Sequence, residues 1–207
     1  GLFNARNAAM AATAAQLSLA PVPAGESFPA DFSYYAKVGA ALNLDALARF
    51  RGVKRRQQVL VETPKLKVIE DFGHHPTALA ETLRSFRARF PGHVIHAAFE
   101  PRSNTSRTKI MQSGFMRALA LADEVYVGAI ARASTMKAEE RFDAEALIQF
   151  LDTQGVHGHT APTNAALLET LRGSVARETE RPQLVVFFTN GSFDGVIAQF
   201  AAEAKRG

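Results

Sequence analysis

The densest cluster of residues that could do chemistry lies between Glu70 and Thr77. Its sequence is Glu-Asp-Phe-Gly-His-His-Pro-Thr, so two carboxylates and two imidazoles come close together in the chain. Groups of these types transfer protons, bind metal ions or orient a partner. The structural alternative is a turn in which Asp71 and Thr77 act as helix caps. We favour function, because His74 and His75 have no evident structural role in such a turn.

Two further polar clusters occur later in the chain. Glu100–Thr108 reads Glu-Pro-Arg-Ser-Asn-Thr-Ser-Arg-Thr, which combines guanidinium, hydroxyl and amide groups. These groups suit a carboxylate or a phosphate, and the alternative is a solvated loop with a helix cap. Thr189–Gly195 contains glycine and leads into a helix, where free N–H groups can face an anion. Alone, this last cluster favours an ordinary connecting turn.

Apolar periodicity predicts the elements that must position these clusters. Helices are expected over 2–19, 34–51, 77–90, near 109–121, 143–154, 163–177 and 194–205, with a loop over 20–31. Strands are expected over 57–62, 66–71, 93–99, 124–127 and 184–189. This alternation predicts an α/β, Rossmann-like three-layer domain whose sheet is mostly parallel, with an antiparallel hairpin at its edge. Each polar cluster follows a strand, and ligands of such sheets bind at the carboxyl ends of the strands.

Composition excludes several classes of protein. The 207 residues carry a net charge of +4 and no cysteine, which excludes disulfides, thiolate metal sites and a cysteine nucleophile. No apolar run is long enough for a membrane span. The basic residues are scattered and tryptophan is absent, so nucleic acid is not an expected partner. The sequence also lacks a G-x-x-x-x-G-K-[ST] phosphate loop, so any triphosphate cradle would lie outside this chain.

Three motifs, in order, resemble the C-terminal part of the Mur ligases. Gly1–Asn7 with its following alanines resembles the G-x-H-N-x-x-N-x-x-A-A helix at the edge of the central ATPase domain, with Phe3 in place of histidine. Gly52–Arg56 resembles the G-V-x-R-R segment that opens the C-terminal domain. Glu70–Thr77 resembles the D-D-[YF]-[GA]-H-H-P-T signature, with Glu70 replacing aspartate. The resemblance implies that 1–51 is the helical end of the central domain with a linker, and that 52–207 is the acceptor domain.

The resemblance also implies an activity. Mur ligases are cytoplasmic bacterial enzymes that use ATP and Mg²⁺ to join an amino acid or peptide to a UDP-linked muramyl carboxylate. Asn4 and Asn7 would then hold the nucleotide base, while Arg56 and Asp71 would be catalytic and approach its phosphates and ribose. The residues implied to border the acceptor are His74, His75, Arg102, Ser103, Asn104 and Arg107. No metal ligand is expected from this chain, since ATP and Mg²⁺ would be bound mainly by the central domain.

Within that family, Glu100–Thr105 most resembles the branch of murein peptide ligases. That branch attaches the recycled tripeptide L-alanyl-γ-D-glutamyl-meso-diaminopimelate to UDP-N-acetylmuramate. Two alternatives stay open: the branch that adds L-alanine, and a non-catalytic Rossmann-like module that binds peptides. The first residue is glycine rather than methionine, so we expect N-terminal and central domains to precede this chain, which alone would be inactive.

Overall fold

The computed structural model describes residues 2–19, 45, 49, 50 and 52–206. Contacts between Cα atoms divide the chain into two compact units, Gly1–Arg51 and Gly52–Gly207. The predicted loop over 20–31 and almost all of the predicted helix over 34–51 lie outside the described residues. The assignment of 1–51 to a central ATPase domain stays a prediction.

The first unit contains the helix α1, Leu2–Leu19. Its sequence is dominated by alanine, the residue with the highest helix propensity, and the helix has the predicted bounds. The second unit is built on a sheet of six strands: β1 (Gln58–Glu62), β2 (Leu66–Asp71), β3 (Val94–Phe99), β4 (Glu124–Val127), β5 (His157–Thr160) and β6 (Gln183–Phe188).

The strands lie in the order β1-β2-β6-β3-β4-β5. β1 pairs antiparallel with β2, and every other pairing is parallel. All residues of β3 and β6 are buried, as expected for central strands covered on both faces. These observations confirm the predicted mostly parallel sheet with an antiparallel edge hairpin.

Helices cover both faces of the sheet and make three layers. They are α2 (Pro76–Arg89), α3 (Gln112–Leu119), α4 (Ala144–Thr153), α5 (Asn164–Arg177) and α6 (Val196–Ala204). One buried cluster contains apolar residues of α2, α3 and α4, including Leu83 and Phe115. The other contains apolar residues of α5 and α6, including Leu168 and Phe200. Among the described residues, no helix combines the length and apolar character needed to cross a bilayer.

The structure corrects the predicted elements in two places. β5 was not predicted, because its sequence His-Gly-His-Thr has no apolar alternation and the strand pairs only with β4, at the sheet edge. The helix expected near 109–121 is a 3₁₀ turn over Lys109–Met111 followed by α3. The other boundaries move by one or two residues, in part because Asp143 and Thr163 are N-caps rather than helical residues.

Candidate active site

The three polar clusters come together at the carboxyl ends of β2, β6 and β3; we call this side of the sheet its carboxyl edge. Backbone hydrogen bonds continue the ladder just past the strands: Thr189 N–H donates to the Asp71 carbonyl at 3.1 Å, and Glu100 N–H donates to the Phe188 carbonyl at 3.0 Å. The segments that follow these strands therefore leave the sheet side by side. This is the edge at which ligands bind in open parallel sheets.

Asp71, at the end of β2, is turned inward and is only 5% exposed. Its Oδ1 accepts from Gly73 N–H at 2.7 Å and its Oδ2 accepts from Gln57 N–H at 3.0 Å. Burial raises the pKa of this carboxyl, and the two backbone hydrogen bonds oppose the rise. In this conformation Asp71 shapes the loops on both sides of it, and its predicted contact with a nucleotide stays a prediction.

Arg56 lies on the same edge and is exposed to solvent. Its guanidinium carbon is 5.1 Å from the centroid of the Phe72 ring, a distance typical of a cation–π contact. The charged end is not tied to a carboxylate within the described part of the chain. A cation in this position is available to a phosphate, as the predicted role of Arg56 requires.

Arg55 is the first arginine of the G-V-x-R-R segment, and the sequence analysis gave it no role. Its Nε lies 2.6 Å from Glu70 Oε1, and its Nη2 donates to the carbonyls of Thr189 and Gly191. Arg55 thus ties the segment before β1 to the loop after β6. Only the register of the hairpin, in which Gln58 pairs with Glu70, brings these groups together, so the linear sequence held no clear signal.

The two histidines of the signature do have structural roles, contrary to our expectation. His75 is the N-cap of α2, where its Nδ1 accepts from Thr77 N–H at 3.3 Å. His74 Nδ1 lies 2.9 Å from the Phe72 carbonyl. These contacts replace the alternative in which Asp71 and Thr77 would cap the helix. A role of His74 and His75 in binding the acceptor stays a prediction.

The four residues predicted to bind the acceptor in the Glu100–Thr108 cluster line one open cleft of about 590 Å³. The full lining is Arg102, Ser103, Asn104, Arg107, Ala131, Arg132, Asn190 and Asp194. Arg132 was not predicted. It lies in the loop after β4, and ligands of parallel sheets bind at the carboxyl ends of the strands, so its position could have indicated a role. Asn190 and Asp194 belong to the third polar cluster, which alone had favoured an ordinary turn.

The loop that presents Arg102 and Arg107 is held by its own hydrogen bonds. Ser103 N–H donates to Ser106 Oγ at 2.9 Å, and Ser106 N–H donates to Ser103 Oγ at 3.0 Å. Ser106 is fully buried, and Arg107 Nη2 donates to Asn104 Oδ1 at 3.1 Å. Within the described residues, Arg107 Nε and Asn190 Oδ1 are shielded from solvent yet have no hydrogen-bond partner. Both atoms belong to residues of the cleft wall, and buried polar atoms without a partner are uncommon in folded proteins.

Arg102 packs against the backbone of Gly191. A Cβ at Gly191 would lie 2.2 Å from Arg102 Cδ and 2.4 Å from its Nε. Arg102 Nη1 lies 3.5 Å from Oε1 of Glu100, and Thr189 donates its hydroxyl hydrogen to the other oxygen of that carboxylate. Glu100 is 2% exposed, so a buried carboxylate and a glycine together fix the position of the Arg102 side chain.

The remaining predictions concern the nucleotide and its metal. Asn7 is exposed on α1, in the first unit, and the side chain of Asn4 lies outside the described residues. Their contact with a nucleotide base stays a prediction. Among the described residues, no group of three or more histidine, aspartate or glutamate side chains is placed to hold a metal ion. That this chain supplies no metal ligand stays a prediction.

Comparison with known proteins shows the family to which the chain belongs. The model of the Mur ligase, glutamate ligase domain matches residues 55–191, which includes the carboxyl-terminal edge just described. The chain belongs to the Mur ligase family. Curated relatives include UDP-N-acetylmuramate–L-alanine ligases of Burkholderia lata, 31% identical over 78% of this chain, and of Bifidobacterium longum, 36% identical over 67% of it. The chain spans about a third of the first of these proteins (35%) and less of the second (23%).

Solved structures of Mur ligases share the fold of this chain. A UDP-N-acetylmuramate–alanine ligase from Thermotoga maritima matches 84% of the chain with a TM-score of 0.61 and 21% identity, over 36% of its own length. A murein peptide ligase from Psychrobacter arcticus matches 82% of the chain with a TM-score of 0.56 and 22% identity, over 35% of its length. Both branches that the sequence left open are therefore represented among proteins of this fold.

Proposed function

We propose that this chain holds the acceptor in an ATP-dependent amide ligase that attaches L-alanyl-γ-D-glutamyl-meso-diaminopimelate to UDP-N-acetylmuramate. The observation that carries the proposal is the cleft at the carboxyl edge of the sheet, which is lined by Arg102, Arg107 and Arg132. The tripeptide bears several carboxylates. Guanidinium groups bind carboxylates through charge-assisted, frequently bidentate hydrogen bonds.

The size and charge of the cleft favour a peptide over a single small amino acid. A volume of about 590 Å³ is typical of a site for a ligand of many atoms. L-alanine has one carboxylate, which a single arginine satisfies, whereas the cleft offers three cations. Arg132 is exposed, and its guanidinium has no ion-pair partner in the described part of the chain. Asp194 in the cleft wall and Glu100 beside Arg102 offset only part of the charge of the three arginines, so the cleft favours an anionic ligand.

In the proposed reaction, this chain positions the acceptor. ATP with Mg²⁺, when bound, supplies the phosphoryl group that activates the muramyl carboxylate. The acceptor must then place its free α-amine within about 3–3.5 Å of the activated carbonyl carbon. Arg102 and Arg107 are proposed to fix the acceptor by its carboxylates, so that this amine points away from the cleft toward the muramyl group. The activated carboxylate is protected from hydrolysis when water is excluded, and excluding water requires the domains to close.

The other predicted residues are proposed to serve the same closed state. Arg56 is exposed on the same edge and would neutralise charge on the transferred phosphoryl group. Asp71 organises the segment that carries Arg56 through its hydrogen bond to Gln57 N–H. Asn4 and Asn7 would hold the base of the nucleotide, and His74 and His75 would border the acceptor.

L-alanine is the second candidate acceptor, and the names of the curated relatives favour it. Both acceptors attack through the α-amine of an alanine, so the chemistry is the same and only the rest of the acceptor differs. The non-catalytic peptide-binding module is the third reading, and membership of a family of ligases argues against it.

The deciding experiment uses the longer protein, by which we mean this chain together with the N-terminal and central domains expected to precede it. It measures phosphate release with ATP, UDP-N-acetylmuramate and either tripeptide or L-alanine. We expect kcat/KM to be at least about 100-fold higher for the tripeptide, because two additional charge-assisted contacts contribute roughly 1.5–3 kcal/mol each. Equal values, or a preference for L-alanine, would transfer the protein to the other branch. Tripeptide binding without phosphate release would support the non-catalytic module.

A further inference from the structure

Asn164, the first residue of α5, is buried and joins two different loops. It is 3% exposed, and Thr163 already caps the helix through its hydroxyl. Asn164 Oδ1 accepts from Ala129 N–H at 2.8 Å, in the loop after β4. Asn164 Nδ2 donates to Asp194 Oδ2 at 2.7 Å, in the loop after β6. The side chain is therefore free of capping and uses both ends of its amide to bridge the two loops.

Each bridged loop contributes a charged side chain to the cleft, and each holds strained backbone. Arg132 follows Ala129 and has φ 55° and ψ 36°. Asp194 has φ 50° and ψ 28°, and its neighbour Phe193 also has φ 50°. Left-handed backbone at residues other than glycine costs of the order of 1–3 kcal/mol and persists only where the surroundings hold it. Strain at this cleft therefore needs a device that holds both loops.

Packing around the bridge leaves no room for the loops to shift. A Cβ at Gly128 would lie 2.5 Å from the Phe193 ring and 2.9 Å from Asn164 Oδ1. Phe193 is 1% exposed and contacts Phe187 edge-on at a centroid distance of 6.1 Å. The two loops thus contact each other through glycine backbone, a buried ring and the amide of Asn164. Of these, the amide alone is directional.

We infer that Asn164 is a positioning residue that fixes Arg132 and Asp194 relative to each other in the acceptor cleft. The role requires one acceptor and one donor on a short side chain: aspartate lacks the donor, and leucine lacks both. The inference rests on the proposed function in that the cleft concerned is the acceptor cleft. Asn164 itself does not line the cleft, so it acts through the two loops.

A double-mutant cycle in the longer protein tests the bridge. Asn164→Asp keeps an acceptor for Ala129 N–H but sets a carboxylate against that of Asp194. In the Asp194→Asn background, the introduced amide can donate to this carboxylate and close the bridge again. We expect Asn164→Asp to raise the KM for the acceptor at least about tenfold in the native background and less than about threefold in the Asp194→Asn background. The KM for ATP should stay unchanged in both.

Equal effects of Asn164→Asp in the two backgrounds would overturn the inference, as would a change confined to kcat or to the KM for ATP. Gln183→Leu is the matched control. Gln183 is another buried amide, 5% exposed, which hydrogen-bonds His96 Nε2 at 2.9 Å from the amino end of β6, far along the strand from the cleft. It should lower stability without changing the KM for the acceptor.

Backbone amide exchange gives a readout that does not depend on turnover. In the chain carrying Asn164→Leu, the amide of Ala129 loses its acceptor, so it should exchange at least about tenfold faster relative to the amides of β3 and β6. Gln183→Leu should leave that ratio unchanged. If the longer protein turns over neither acceptor, the proposed function fails, and the exchange result still decides on the bridge. Unchanged exchange at Ala129 in the Asn164→Leu chain would overturn it.

Discussion

At the scale of single residues, Arg102 is the cation of the cleft whose surroundings can be tested most directly. Glu100 and the backbone of Gly191 hold it, and it approaches the point where β3 and β6 end. Arg102→Ala in the longer protein should raise the KM for the acceptor by about 10–100-fold, the effect of losing one charge-assisted contact. Steady-state kinetics with each substrate varied in turn would measure this.

Arg84→Ala is the matched control for that substitution, because Arg84 pairs with Glu81 on the exposed surface of α2. It should leave all kinetic constants unchanged. If Arg102→Ala raised the KM for ATP and left that for the acceptor alone, Arg102 would belong to the nucleotide site.

Gly191 allows the same arginine to be displaced without deleting it. A Cβ at this position overlaps the Arg102 side chain, which is flexible and can swing away. Gly191→Ala should therefore raise the KM for the acceptor about as much as Arg102→Ala, while the melting temperature changes little. Gly173→Ala is the control, since Gly173 lies within α5 with nothing near its Cβ position, and alanine there should stabilise by roughly 0.5–1 kcal/mol. Kinetics and thermal unfolding of both variants would separate packing at the cleft from a general effect of alanine.

At the scale of the elements, the start of α2 joins structure to the proposed function. His75 caps the helix because its Nδ1 accepts from Thr77 N–H. His75→Ala should destabilise the protein by about 1 kcal/mol, as loss of an N-cap does, whereas His75→Asp should restore a cap. Thermal unfolding measures this difference. A KM for the acceptor that stays raised in His75→Asp, with normal stability, would support the predicted contact of His75 with the acceptor; a full recovery would leave the residue a cap.

The adjacent strands β3 and β4 contain a buried polar group that makes stability depend on pH. The His159 imidazole, whose Nε2 lies 3.4 Å from Glu124 Oε2, and the hydrogen bond from the Tyr126 hydroxyl at 2.5 Å lower the pKa of Glu124 from 4.5 to about 2, against the effect of burial. Burial lowers the pKa of His96 below 6.5, although Glu124 and Gln183 oppose this. In both cases the unfolded chain takes up the proton at a higher pH than the folded chain does. Acidification therefore removes stability, first below pH 6.5 through His96 and then between pH 4.5 and 2 through Glu124.

Glu124→Gln tests the second part of that dependence. The variant should lose roughly 2–3 kcal/mol of unfolding free energy at pH 7, because a lowered pKa of this size represents that much stabilisation of the carboxylate. Its stability should then fall less than that of the native protein between pH 4.5 and 2. Urea unfolding at a series of pH values would show the two curves converging. Parallel curves would contradict the prediction, because they would mean that Glu124 has the same pKa in the folded and the unfolded protein.

At the scale of the whole molecule, elements could be predicted where their burial requires a recognisable run or alternation of apolar residues. β3 is apolar except for His96, and β6 except for Gln183, so both runs predicted central strands that are buried on both faces. β5 has no such pattern, because a short strand at the edge of a sheet buries little side-chain surface. Its two histidines and its glycine are typical of a loop. The pairing of strands, rather than the residues within β5, creates that element.

The candidate site divides in the same way. Arg102 and Arg107 could be predicted because each stands in a polar run directly after a strand. Arg132 and Asp194 were not predicted, because Arg132 is a single charge in the loop after β4 and the cluster that contains Asp194 resembles an ordinary connecting turn until the sheet brings the loops together. Arg55 and Asn164 act through hydrogen bonds between segments distant in sequence. Such bridges depend on register, which a single sequence does not reveal.

The division of the molecule into units also fixes what this chain can do alone. Residues Gly52–Gly207 form a compact unit with its own core on both faces of the sheet, yet the 207 residues contain no phosphate loop and span about a third of their relatives. The chain alone should therefore unfold cooperatively but release no phosphate from ATP in the presence of UDP-N-acetylmuramate and tripeptide. Phosphate release by the chain and by the longer protein, at equal concentrations, would test this. Release by the chain alone that rises with acceptor concentration would contradict the prediction, because a domain that only holds the acceptor has no means of cleaving ATP.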